Sequence, residues 1–128
     1  MTHAELQEQV VALLGIFGWQ HLHVRTTLGK VHGHYQHLTA TNVLGWPDLA
    51  PCWSPRQPGR ILALELKVPP DKPSNAQRAV LRDLAASGIE AHVIRPDDIT
   101  DRLPALLGQA AYGWRDIPAY INTIEEEL

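Results

Sequence analysis

RILALELKV, residues 60–68, decides the fold. Its apolar run, with bounded ends and a length under ten residues, reads as a buried β-strand. PPDKP at 69–73 breaks the chain, since prolines end regular structure. Ser74 then caps a helix that runs to about Ser87, with Val80, Leu81, Leu84 and Ala85 as its apolar stripe and Gly88 as its stop. IEAHVIRP, 89–96, is a second strand. Strand, helix and strand from 60 to 95 form a right-handed crossover unit.

Working outward, residues 4–17 are an amphipathic helix, with Leu6, Val10, Leu13, Leu14 and Phe17 at helical spacing. Thr2 and Glu5 have capping-box spacing, and Gly18 ends the helix. QHLHVR, 20–25, alternates like a strand. Residues 26–45, rich in Gly, His, Thr and Asn, show no clean period and read as a long loop. DLAPCW, 48–53, is a short strand that Pro51 interrupts, hence an edge or a bulge. SPRQPG, 54–59, is a turn, and 97–108 a further short helix. The remainder is a last helix or a mobile tail. The order predicts an α/β domain with a mixed central sheet flanked by helices.

The 128 residues suit one domain, and 45% hydrophobic residues can build a core. No apolar run is long enough to span a bilayer, and no signal pattern opens the chain. Cys52 is the single cysteine, so an internal disulfide and a multi-thiolate zinc site are excluded. A reducing, cytoplasmic setting is the simplest reading. The net charge of −3 counts against nucleic acid as partner. Its distribution softens that objection. Residues 1–112 hold ten basic and ten acidic residues, whereas 113–128 hold Arg115 against Asp116, Glu125, Glu126 and Glu127.

Chemistry enters with GWPDL, 45–49. Side chains alternate along a strand, so Glu65 and Lys67 share a face with small Ala63. A buried carboxylate and ammonium are costly unless they neutralise each other or meet a metal. If the strands flanking 54–59 form a hairpin, Asp48 comes beside Glu65. Two close carboxylates repel unless a divalent cation bridges them. A neighbouring lysine can then orient a water or steady charge on a phosphate. Hydrolysis of a phosphodiester wants that set. Gln77, three residues after Ser74, lies in the first turn of the second helix on its sheet-facing side. Ser74-x-x-Gln77 is also capping-box spacing, and the two roles are compatible. The plainer alternative is a surface Glu–Lys pair and a turn aspartate.

GWPDL, ALELKVPPDKPSNAQ and AVLRDLAASGIEAHVIRP together resemble the VRR-NUC (virus-type replication–repair nuclease) branch of the PD-(D/E)XK nucleases, from the first helix to about residue 99. The resemblance implies a restriction-endonuclease-like αβ core in a single domain, with core about 4–108 and acidic tail about 113–128. It implies Mg²⁺ dependence, with Mn²⁺ as substitute, and cleavage of DNA, often flaps or Holliday junctions, in replication, repair or recombination. Small stand-alone members occur in phages and their hosts and tend to dimerise. Carried over, Asp48 and Glu65 ligate metal and the Leu66 carbonyl adds an oxygen. Lys67 positions the water or stabilises the transition state, and Gln77 holds the site or contacts the scissile region. The family tends to carry a first-helix glutamate. Here the inward face passes through His3, Glu5 falls to the side and Glu8 points outward. Either Glu5 reaches a metal from the flank, His3 replaces the acid, or that contribution is missing.

His21, His23, His32, His34 and His37 suggest zinc or, better, a substrate-contacting loop with Arg25, Lys30, Tyr35 and Trp46. Arg78, Arg82, Arg95, Lys72 and Arg60 are candidates for phosphate contact against a solvated-face default. Trp114 and Tyr120 in the acidic tail are candidates to cover a partner subunit or to pack on their own domain. Two rival functions share the fold: a catalytically inactive DNA-binding module, and an interaction protein working through its acidic tail.

Overall fold

The computed structural model describes residues 1–24, 26–31, 34–39, 43–108 and 124–128. Helix α1 spans His3–Ile16, with the Thr2/Glu5 capping box formed and Leu6, Val10 and Leu14 buried. Strands follow at Gln20–His23 (β1), Thr26–Val31 (β2), His34–Thr39 (β3), Leu49–Trp53 (β4) and Ile61–Leu66 (β5). Helix α2 is Asn75–Ala86 and strand β6 is Glu90–Ile94. A 3₁₀ turn at Pro96–Asp98 leads to α3, Arg102–Gly108. No helix among the described residues is long and apolar enough to cross a membrane.

The main sheet has the order β1-β4-β5-β6. β1/β4 and β4/β5 are antiparallel, and β5/β6 is parallel. The sheet is thus mixed, and α2 is the crossover between its parallel pair. Alternation along β5 sorts the two faces. Leu62, Leu64 and Leu66 pack with α1 residues Leu6, Val10 and Leu14 and with α3 residues Leu103, Leu106 and Leu107. Ala63 packs with Leu81 and Ala85 of α2, Ala50, Val93 and Ile124. One helix pair covers the leucine face and α2 lies on the alanine face.

Two expectations change and one pair of alternatives is settled. Residues 26–45 are not all loop, because β2 and β3 pair antiparallel from Thr26↔Thr39 to Val31↔His34. Of the two readings of Pro51 the bulge holds, since β4 lies between β1 and β5 and is not an edge. Register shifts flank Pro51 on both sides, so the missing proline N–H falls where the ladders are already irregular. The helix foreseen over 97–108 is a 3₁₀ turn and a separate seven-residue helix. Residues 124–127 are helical, and Ile124 is fully buried against the α2 face.

Arg60 is removed from the phosphate-contacting set. Its guanidinium is buried and donates twice to Glu90, at 2.7 Å each, and to the Leu106 carbonyl at 3.0 Å. It also lies 5.2 Å from the centre of the Trp19 ring. This buried charge ties the entry of β5 to β6 and α3, because an unpaired buried charge would be costly.

Candidate active site

The antiparallel register Leu49↔Leu64 sets Asp48 across from Glu65. Asp48 lies one residue ahead of β4, and its Oδ2 accepts the Leu66 N–H at 2.8 Å. That bond fixes the carboxylate at the C-terminal end of β5. The backbone before it is held by a close approach. Gly45 has φ +87, and a Cβ there would lie 2.5 Å from the Ala76 backbone in the first turn of α2. Only glycine meets both conditions without strain. Trp46 donates from Nε1 to the Ala50 carbonyl at 3.3 Å and packs on the α2-side core.

Glu65 is 2% exposed, on the α2 face of the sheet. Gln77 donates from Nε2 to its Oε1 at 3.4 Å, and Lys67 Nζ lies 3.8 Å from the same oxygen. Gln77 thus faces Glu65 from the first turn of α2 and also takes part in the helix cap. Its Oε1 accepts the Ser74 N–H at 2.9 Å, completing a capping box. Glu65 Oε2 is buried and, among the described residues, meets no N–H or O–H donor. Burial pushes the Glu65 carboxyl up to about 9; Asp48 pushes the same way, by hydrogen bonding and by charge, and Lys67 partly opposes them. Two ionised carboxylates can only repel, so this pair requires a proton or another cation between them. Lys67 is 18% exposed and follows β5 directly, so its ammonium sits at the mouth of the site.

Helix α1 reaches the site through His3, whose Nε2 lies 3.4 Å from Asp48 Oδ2. Glu5 is not brought there. It is exposed, and its Oε2 accepts the Thr2 N–H at 3.4 Å in the helix cap. Asp48, Glu65, Lys67 and Gln77 are therefore assembled around the end of β5, and His3 joins them from the flank.

Among the described residues, no three His, Cys, Asp or Glu side chains cluster as a metal site. A cation here would rest on two carboxylates, backbone oxygen and water. Those hard donors suit Mg²⁺ and Mn²⁺, and the Glu65 oxygen that meets no donor fits such a ligand. Zinc finds no such support on β1, where His23 Nδ1 pairs with Gln7 at 3.3 Å. His32, Arg25, Trp114 and Tyr120 lie outside the described residues, as do the side chains of Lys30, His34, Tyr35 and His37. Sequence reading missed the Gly45 contact, although a glycine just ahead of Trp-Pro-Asp is a visible sign of a special turn.

The VRR-NUC domain family matches residues 5–98. No curated protein and no solved structure matches the chain.

Proposed function

The chain belongs to the VRR-NUC family of nuclease domains, and from that premise we propose that it is a metal-dependent DNA endonuclease acting on branched DNA. The observation that carries the reading is the buried Glu65 oxygen that meets no donor among the described residues, set beside the Asp48 carboxylate and an ammonium. A buried acid pair costs stability unless something compensates it, and a catalytic cation supplies that compensation.

Asp48, Glu65 and the Leu66 carbonyl would hold Mg²⁺ or Mn²⁺. An ion held there would supply Lewis-acid chemistry, lowering the pKa of a water and polarising the phosphate. The chain's own residues do the remaining work. The Leu66 N–H and His3 fix Asp48, while Gln77 fixes one Glu65 oxygen. Neither carboxylate then needs to reorganise as charge develops. The Lys67 ammonium stands where it can hold the attacking water or meet the negative charge growing on the phosphate. Glu5 has no part in this arrangement. Branched DNA as the preferred substrate, roles in replication or repair, and pairing of two copies follow from the family resemblance.

The test offers single strands, duplex, flaps, splayed arms and four-way junctions with Mg²⁺ and with Mn²⁺, and resolves products on a denaturing gel. The parent should cut branched substrates and Asp48→Ala should cut none while remaining folded. Equal cutting by Asp48→Ala would sink the assignment.

A further inference from the structure

A patch of arginines beside the candidate site is already occupied by the chain itself. Arg78 and Arg82 lie one turn apart on α2, immediately after Gln77. Arg95 follows β6, whose Ile94 carbonyl accepts the Lys67 N–H at 3.0 Å. Adjacent strands lie about 5 Å apart, so this backbone runs directly beside Lys67. Lys72 and Pro69, on the segment leaving Lys67, line an open cleft with Arg95 and Arg102. Basic groups thus run from the site into this cleft, which Asp97 and Asp98 also line.

Residues 125–128 lie on that patch. Glu125 takes Arg82 through two bonds, at 2.6 and 3.1 Å. Arg78 donates to the Leu128 carbonyl, and Arg95 to the Glu127 carbonyl at 3.4 Å. Arg102 pairs with Glu127 and also, at 3.2 Å, with Asp98. Glu126 lines the cleft.

Burial separates an anchor from a displaceable part. Ile124 is fully buried, and the Glu127 carboxylate accepts the Val93 N–H at 3.2 Å and pairs with His92 Nδ1 at 3.0 Å. Those contacts hold the segment in place. Glu125 and Arg82 are 51% and 48% exposed, so solvent screens their attraction. A phosphodiester offers arginine the same two-pronged acceptor that Glu125 does. Exchange of one for the other therefore costs little.

We propose that Glu125 and Glu126 form an acidic strap over the arginine patch, which the backbone of bound DNA must displace, so that the segment restrains DNA binding beside the site. The inference rests on the nuclease reading above.

The test measures binding of fluorescent flap DNA by anisotropy, in EDTA and across a salt series, with full-length variants. Glu125→Gln should bind about two- to fivefold tighter, the range expected for releasing one exposed pair. Its log–log salt slope should steepen modestly, because added salt already weakens the Arg82–Glu125 pair that DNA must break in the parent. Adding Arg82→Gln should cancel that gain. Glu8→Gln, the same charge change on the exposed side of α1, should leave the slope unchanged. Glu125→Gln behaving like Glu8→Gln, or a gain that survives Arg82→Gln, overturns the strap while parental DNA binding leaves the nuclease reading intact. Failure of the parent and every variant to bind DNA at low salt overturns both.

Discussion

Replacing Glu65 with Gln should change how stability depends on pH in the metal-free protein. The folded Glu65 carboxyl titrates at about 9, against 4.5 for its ordinary value. Between those values the folded state holds a proton that the unfolded state has released. Stability from this group is complete below the lower value and is lost as pH rises towards 9. The slope is a little over 1 kcal/mol per pH unit, so about 3 kcal/mol disappears between pH 6.5 and 8.5. That is a large share of a stability of roughly 5–15 kcal/mol. His92 acts in the opposite sense at lower pH. Burial above all, with the Arg102 charge next, lowers its pKa from 6.5 to about 4. Its stabilising effect is present above 6.5 and is lost as pH falls towards 4, so the chosen window lies clear of it. Gln resembles the protonated acid in shape and does not titrate. Urea unfolding in EDTA at pH 6.5, 7.5 and 8.5 should show the parent's midpoint falling by roughly 1–3 M, given a typical urea dependence of about 1–3 kcal/mol per M. Glu65→Gln should lack that fall. Equal slopes for the two proteins would refute the buried, proton-holding Glu65.

Lys67→Met should lower the cleavage rate by about a hundredfold or more, as loss of a preorganised charge-stabilising group does, while retaining Mn²⁺ binding. Rate and metal titration together check this. Gly45→Ala combines φ +87 with a Cβ 2.5 Å from the Ala76 backbone, and should cost about 1–3 kcal/mol in denaturant unfolding and impair cutting without touching the chemistry. Ser74→Ala should cost about 1 kcal/mol in denaturant unfolding through the cap, whereas Gln77→Ala keeps the Ser74 hydroxyl cap, loses only the reciprocal bond to the Ser74 N–H, and should slow cleavage because it also frees Glu65. Cys52 is buried and its thiol is pushed up to about 12, so a thiol reagent at pH 8 should label it only after unfolding.

The β5–α2–β6 unit was legible because its signals are local: an apolar strand, prolines that stop it, a Ser74/Gln77 cap and an apolar stripe. The pairing of Asp48 with Glu65 was legible because a short turn between two strands implies a hairpin. The β2–β3 hairpin was not, since its strands are stabilised by pairing with each other and carry no apolar alternation. Pro51 suggested an edge or a bulge because proline lacks a ladder donor, and only the neighbouring strands decide for paired bulges in the interior. Arg60 read as a surface cation until Glu90, thirty residues on, was placed beside it. The acidic run of Glu125, Glu126 and Glu127 read as part of a last helix or a mobile tail, while its distant partners Arg82, Arg102 and His92 decide where it lies. Contacts between residues so far apart leave no mark on local periodicity.

The central claim is that Asp48 and Glu65 together hold a divalent cation. Calorimetric titration of Mn²⁺ into the parent, Asp48→Asn, Glu65→Gln and the double variant tests it most directly. Saturable binding is expected in the parent, and its loss in each folded variant. Mn²⁺ binding undiminished in the double variant would contradict it.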